Sequence, residues 1–197
     1  MKKFLNYLIK YRKKTLVELR EIEFKDKDKL REWRNIPEIS KYMYSDQLIT
    51  VEEHEKWFNK IINDKSTKYW IIVCDKEDVG LVNLYDIDNQ NSRCYWAFYI
   101  SSPNVRGKGV GSFVEYSVLN YVFDELDLNK LCCEVLGFNE PVLRMHKKFG
   151  FKEEGLFREH IIKNNKPHNV YCLAILRNEW NEIKPEIVKR LKKVNII

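Results

Sequence analysis

This chain has no long hydrophobic run. No apolar stretch approaches the roughly 18 to 20 residues that a membrane-spanning helix needs, so no helix is expected to cross a bilayer. Glycine and proline are scarce, with seven and five in 197 residues. No stretch rich in them or in serine divides the chain, and residues 1–197 read as one domain long enough to bury a core. Cysteine is sparse too, with five residues. Cys74, Cys94, Cys132, Cys133 and Cys172 are odd in number, show no CxxC spacing and stand in apolar, strand-like segments. That pattern argues against a disulfide framework and supplies no zinc-ligand set. They read as buried free thiols in a reducing, cytoplasmic compartment.

An excess of one charge is also missing. Lysine and arginine number 35 against 29 acids, a formal net charge of +6, and the lysines are interleaved with Asp and Glu. This is the pattern of a solvated surface rather than of a basic stripe for nucleic acid. A small acidic ligand such as a nucleotide suits the balance. The opening "MKKFLNYLIKYRKK" has a basic flank, but its apolar stretch is interrupted and carries no small-residue cleavage site, so no signal peptide is expected. Phe4, Leu5, Leu8 and Ile9 fall at helical spacing and predict an amphipathic turn or two packed on the body or on a partner.

What is present is an alternation of elements. "KTLVELREIEF" predicts a first strand and residues 26–34 a helix. "TVEEHEKWFNKII" opens with Thr50 and, three residues on, Glu53, a capping-box spacing, then sets Trp57, Phe58, Ile61 and Ile62 on one face. "KYWIIVCD" and "DVGLVNLYDID" predict two strands around the acidic turn "DKED", and "SRCYWAFYISS" a third strand of the same meander. "LCCEVLG" is short and continuously apolar, as at the centre of a sheet. "FKEEGLFREHIIK" and "HNVYCLAIL" flank the turn "NNKP", and a helix follows from residue 177. The predicted class is α/β, a mixed α+β sheet flanked by helices.

The scarce glycines are not evenly spread. Gly107, Gly109 and Gly111 crowd into "NVRGKGVGS", residues 104–112. After Gly109 the apolar residues Val110, Phe113, Val114, Val118, Tyr121 and Val122 form a helical stripe, so the glycines open a helix directly after a strand. Bare backbone there lets N–H groups approach a ligand. The helix N-terminus adds partial positive charge, and Arg106 and Lys108 add full charges. The loop suits phosphate. Its spacing is neither GxxxxGK before Ser or Thr nor GxGxxG; it is R-x-x-G-x-G, on Arg106, Gly109 and Gly111.

That spacing resembles the acetyl-CoA loop of the GCN5-related N-acetyltransferases (GNAT). A second segment supports the resemblance: "NEPVLRMHKKFGF", residues 139–151, follows the apolar strand where the family carries N-x-x-A-x-x-x-Y-x-K-x-G-F. Asn139, Lys147 or Lys148, Gly150 and Phe151 match in type, and Asn139 also suits a helix N-cap. The resemblance covers residues 16–180. It implies the GNAT fold, a splayed central sheet flanked by helices, with acetyl-CoA as co-substrate in the V between the family's fourth and fifth strands, and no metal. It also implies cofactor contacts from Ile100, Ser101, Arg106, Gly107, Lys108, Gly109, Val110, Gly111, Ser112, Asn139 and Lys147.

His146 stands where the family carries a tyrosine that the resemblance implies is the proton donor to the departing thiolate. An imidazolium near neutral pH also donates, which makes His146, with Asn139, the candidate catalytic group. Its stripe with Val142, Met145 and Phe149 equally fits a core histidine. A backbone N–H near Tyr99, Ile100 or Ser101 is expected to stabilise the oxyanion. No strong general base is evident, so water relaying to solvent or to a carboxylate such as Glu134 is expected, with orientation of two bound substrates carrying the catalysis.

The acceptor pocket in this superfamily is shaped by the segment after the first strand, here "WRNIPEISKYMYSDQLITVEEHEKWF". It is similar to the W-R-N…M-Y…E-E-H…W pattern of acetyltransferases that modify the 4-amino group of a UDP-linked aminosugar in pseudaminic acid synthesis. The resemblance implies a small-molecule nucleotide-sugar substrate. Arg34 and His54 would meet its diphosphate, and Met43, Tyr44, Trp57, Tyr85 and Tyr99 its base or sugar. The residue types alone leave other roles open: Trp33 and Trp57 as core anchors, Arg34 as a helix cap or a partner of Glu38, and Glu52 with Glu53 as a helix N-terminal charge cluster. Relatives acting on ribosomal-protein N-termini or on polyamines share the pattern in part, and an acetyl-CoA sensor without turnover is the non-enzyme alternative. The exact sugar and a homodimer stay open.

Overall fold

The computed structural model describes residues 9–11 and 15–197. Its strands are β1 (Ile9–Tyr11), β2 (Thr15–Glu21), β3 (Lys68–Cys74), β4 (Glu77–Asp88), β5 (Arg93–Ile100), β6 (Lys130–Leu136), β7 (Lys152–Lys163) and β8 (Lys166–Leu176). Its helices are α1 (Lys27–Arg34), α2 (Pro37–Ser40), α3 (Val51–Asn63), α4 (Val110–Asn120), α5 (Glu140–Lys148) and α6 (Arg177–Lys193). The strands form one sheet in the order β1, β2, β3, β4, β5, β6, β8, β7. Every neighbouring pair is antiparallel except β5 with β6.

Local chemistry lays much of this out. β3 turns into β4 through Asp75 and Lys76, and β7 into β8 through Asn164 and Asn165, all at positive φ. Paired left-handed residues match the twist of a two-residue hairpin. α3 starts on its capping box: Thr50 Oγ1 accepts from the Glu53 N–H at 3.2 Å, and Glu53 Oε2 accepts from the Thr50 N–H at 2.9 Å. β3 and β6 run nearly unbroken through the interior because helices cover both faces of the sheet. On one face Leu30, Phe58 and Ile61 pack on Ile71, Val73 and Leu81. On the other, α4 and α6 bring Phe113, Val118, Trp180 and Leu191 to Ile72, Val82, Leu84 and Trp96.

α1 is tied to the sheet by charge. Asp26, fully buried just before it, accepts from the Arg20 guanidinium at 2.7 and 2.8 Å and from Lys29 at 2.9 Å. Burial alone would push this carboxyl up, but hydrogen bonds from Arg20, the Glu23 N–H and Lys29 hold it well below the usual carboxylate range.

One expectation is corrected near the start of the chain. Ile9, read as part of an amphipathic helix, begins β1, with Val17 as its register partner. The free edge of β2 supplies a hydrogen-bonding template that helical spacing does not reveal. Phe4, Leu5 and Leu8 lie outside the described residues. Among the described residues no helix is long and apolar enough to cross a membrane.

The site is set by a parting of strands. β5 and β6 pair only where Arg93, Cys94 and Tyr95 meet Lys130, Leu131 and Cys132. Beyond that point residues 96–100 stay with β4, and β6 stays with β8. A wedge opens between them, its inner edges carrying backbone groups that a continuous ladder would have paired. α4 follows β5 and α5 follows β6, so both helices begin at the mouth of the wedge.

Candidate active site

A cleft of about 1000 Å³ follows the wedge and is lined on the cofactor side by Ile100, Arg106, Gly107, Gly109, Val110, Gly111, Ser112 and Asn139. Gly107 and Gly109 sit at φ 75° and 83°, a left-handed backbone that costs other residues roughly 1–2 kcal/mol. Gly111 is not forced by space or by φ: a Cβ there would make ordinary contacts, 3.4 Å from the Met145 Sδ and 3.8 Å from the Phe98 ring.

No side chain caps α4, and its first helical bond runs from the Phe113 N–H to the Gly109 carbonyl at 3.0 Å. The N–H groups of Val110, Gly111 and Ser112 therefore have no partner within the helix. Together with the helix dipole and Arg106, they fit the diphosphate of coenzyme A.

Ser101, Lys108 and Lys147, also expected at the cofactor, stand elsewhere. The Ser101 N–H donates to the Val79 carbonyl at 2.7 Å, so it is committed within the sheet and is not free for an oxyanion. Lys108 is exposed and off the cleft wall. Lys147 is exposed and ion-paired with Glu153 at 3.4 Å, because it points outward from α5 while His146 points inward. Asn139 occupies the N-cap position of α5 without making a capping hydrogen bond, and it lines the cleft instead.

His146 is buried like a core histidine and yet lines the cleft. It is 3% exposed, with its ring 5.2 Å from those of Trp96 and Phe151, and it also lines the cleft. Its Nδ1 lies 2.8 Å from Oε1 of Glu115 on α4. Glu115 is completely buried, and that burial raises its carboxyl above the ordinary range against the pull of His146. Glu115 Oε2 has no partner among the described residues. Sequence reasoning missed Glu115. The available signal was a lone acid inside a helix buried on nearly every side.

The acceptor side is walled by α1, α2 and the turn after it, α3, β3 and β5, with Arg34, Met43, His54, Trp57, Tyr69 and Tyr99 on it. His54 is not the cation expected for a diphosphate. It is buried, and its Nε2–H donates to the Lys27 carbonyl at 2.7 Å. Burial lowers its pKa, leaving a neutral ring 5.0 Å from Trp57. Trp57 meets Tyr69 edge-on at 5.6 Å, and Trp33 meets Tyr99 edge-on at 6.4 Å. The tryptophans thus anchor the small core under α1 and α3, and Trp57 also walls the cleft.

Arg34 is different. It is half-buried, burial lowers its pKa, and among the described residues no acid pairs with it. Glu38, the partner the sequence offers, makes no ion pair with it. The Tyr99 hydroxyl is itself buried without a partner among the described residues, and burial raises its pKa.

Tyr85 lies outside this cleft. It lines a second one of about 860 Å³ with Tyr44, Tyr95, Asp86, Asp88 and Glu134. The Tyr44 hydroxyl donates to Glu134, and Glu134 belongs to both clefts. Of the residues expected around the acceptor, Tyr44 and Tyr85 are therefore one compartment away, joined to the rest through Glu134. Cys133 also reaches the main cleft, but burial holds its thiol well above the usual range, away from thiolate chemistry. Among the described residues no cluster of His, Cys, Asp and Glu could hold a metal ion.

Comparisons with known proteins agree with this geometry. Residues 17–152 match the family model described as "Acetyltransferase (GNAT) domain". The uncharacterized N-acetyltransferase YnaD of Bacillus subtilis (strain 168) is 30% identical over 164 residues, 83% of this chain and 95% of its own. Spermidine N(1)-acetyltransferase of Escherichia coli (strain K12) is 27% identical over 164 residues, covering 83% and 88% of the two chains. Acetyltransferase PseH of Campylobacter jejuni is 28% identical over 144 residues, covering 73% and 85%. The crystal structure of spermidine N-acetyltransferase from Vibrio cholerae in complex with CoA and spermine has a TM-score of 0.78 at 25% identity, covering 84% of this chain and 98% of that one. With the matched region running from β2 through the glycine loop, α4 and α5, the chain belongs to the acetyltransferase (GNAT) domain family and is an acetyl-CoA-dependent acetyltransferase.

Proposed function

We propose that the protein acetylates the amine of an anionic small molecule, a UDP-linked 4-amino-4,6-dideoxy sugar of the pseudaminic acid type, in the cytoplasm. The observation that carries this reading is Arg34, a half-buried cation on the acceptor wall with no counter-charge among the described residues, next to a Tyr99 hydroxyl that has no partner among them either. Such a charge is unfavourable in the free protein, and a phosphate group relieves it with bidentate, charge-assisted hydrogen bonds. Five free cysteines suit a reducing compartment.

The chain's own groups divide the work. Arg106 and the N–H groups of Val110, Gly111 and Ser112 hold the coenzyme's diphosphate, and Asn139 lies across the wedge from the open edge of residues 96–100. When bound, acetyl-CoA supplies an activated acetyl thioester. Trp57, Tyr69 and Met43 orient the acceptor so that its neutral amine meets the acetyl carbon. Glu134 takes up the amine's proton, directly or through water, and His146 gives a proton from Nε2 to the departing sulfur.

A polyamine acceptor is the second reading. The second cleft favours it by setting Asp86, Asp88 and Glu134 beside Tyr44, Tyr85 and Tyr95, a set suited to ammonium groups. Relatives named spermidine acetyltransferases lend it support. A direct test compares the UDP-aminosugar, the free aminosugar, spermidine and a peptide N-terminus by thiol release. The first reading requires the UDP-sugar to give the highest kcat/KM, whereas faster turnover of spermidine replaces it with the second.

A further inference from the structure

Packing alone gives no reason for a carboxylate beneath His146. Glu115 is fully buried on α4, and a buried acid there is normally excluded from a core. The groups facing it are few. α5 brings His146 Nδ1 within 2.8 Å. β6 brings Cys133, a thiol that burial keeps protonated. β5 presents the edge of Trp96 to the imidazole. α6 brings the positive charge of Arg190, whose guanidinium stacks on Phe149 and donates to the Lys148 carbonyl at 3.2 Å. Among the described residues Glu115 therefore has one hydrogen-bond partner, His146. The imidazole's other nitrogen, Nε2, has no partner among the described residues and is not sealed off, since the ring lines the cleft.

We propose that Glu115 is the positioning residue for His146: it clamps Nδ1, aims Nε2 into the cleft, and shares with the imidazole one exchangeable proton in a net-neutral unit, so that Nε2 carries hydrogen when the sulfur departs. This rests on the reading of His146 as the proton donor. In a water-poor setting the pair avoids a net charge. Carboxylate with imidazolium and carboxylic acid with neutral imidazole are both neutral overall, and in both Nε2 is protonated. The state with a bare Nε2 leaves a buried negative charge and is reached only on proton delivery. In that step the Nε2–H bond breaks and an S–H bond forms, while the thioester C–S bond breaks and the new C–N bond forms. The amine's proton leaves by way of Glu134 or water, and the pair takes a proton back from solvent through the cleft.

The test uses ¹⁵N-histidine NMR of the free protein, with the His146 signals identified by their loss in His146→Ala. The wild-type protein should show Nε2 carrying hydrogen at neutral pH. In Glu115→Gln the charge is gone and the amide oxygen accepts from Nδ1–H, so at the same pH a larger share of the molecules should have a bare Nε2. The alkaline limb of kcat should move with it, and kcat at about pH 8 should fall tenfold or more. An unchanged Nε2 signal and pH profile in Glu115→Gln would overturn the proposal, whatever happens to stability. If that variant does not fold, the wild-type spectrum decides: a bare Nε2 at neutral pH overturns the proposal, and a protonated one supports it. If the spectra behave as stated but His146→Ala retains full kcat, the proton-donor reading fails and the pairing stands.

Discussion

Replacing Arg34 by methionine separates a ligand-binding arginine from a structural one. Methionine keeps most of the apolar stem and removes the guanidinium. In the free protein this charge has no carboxylate partner among the described residues, and burial already disfavours it. Removing it breaks no ion pair, so stability should hold or rise, with any loss staying under about 0.5 kcal/mol, or about 2 °C in a chain of this size. The bound state differs: a charge-assisted hydrogen bond to a phosphate contributes about 1.5–3 kcal/mol. At about 1.4 kcal/mol per decade, the acceptor KM should rise roughly 10- to 100-fold. The acetyl-CoA KM should stay within about twofold, because its phosphate contacts come from the start of α4. Initial rates with both substrates varied, beside a thermal melt, read all of these quantities. An acceptor KM within about threefold of wild type, or a fall in Tm beyond about 4 °C, would refute the reasoning and make Arg34 a packing residue. With spermidine as substrate the sign should invert, since removing a cation near a polycation favours binding.

Gly109→Asp keeps a residue that tolerates φ 83° but sets a carboxylate at the start of α4; calorimetry should show acetyl-CoA affinity reduced by at least about tenfold, and undiminished affinity would remove the loop from the site. Glu134→Gln should lower kcat about 10²-fold with little change in acetyl-CoA KM, and a loss under about threefold would hand proton removal to solvent. Asp26→Asn leaves Arg20 and Lys29 with Asp78 alone and should cost about 2–3 kcal/mol in urea melts at neutral pH. Because Asp26 is held below its ordinary range when folded, its contribution is present above about pH 4 and fades as pH falls further. The wild-type and Asp26→Asn stabilities should therefore converge in acid, and an unchanged gap at about pH 2 would contradict the assignment.

Where structure is decided within a few residues, the sequence is legible. The capping box of Thr50 and Glu53 marks the start of α3 and is present as hydrogen bonds. The turns at Asp75 with Lys76 and at Asn164 with Asn165 mark their hairpins because the left-handed backbone is a property of the turn itself. β1 is the opposite case. Its three residues are a strand because β2 offers an unpaired edge, and nothing in the spacing of Ile9 and its neighbours carries that information.

The same contrast divides the site. The cofactor half is drawn by backbone conformation, through Gly107, Gly109 and the uncapped start of α4, so a handful of contiguous residues reveals it. The acceptor half depends on what surrounds each side chain. Arg34 and His54 are both cations on paper, yet the fold separates them: His54 meets the carbonyl of Lys27, 27 residues away, and is buried as a neutral donor. Arg34 meets no acid among the described residues. Glu115 and His146 likewise lie 31 residues apart and become a pair only when α4 and α5 close over the wedge. A sequence displays the groups that are present, but the chemistry of this acceptor wall turns on a counter-charge that is missing. Only the assembled cleft exposes that absence, and it is why the proposed anionic acceptor rests on Arg34 rather than on any of the more conspicuous tryptophans.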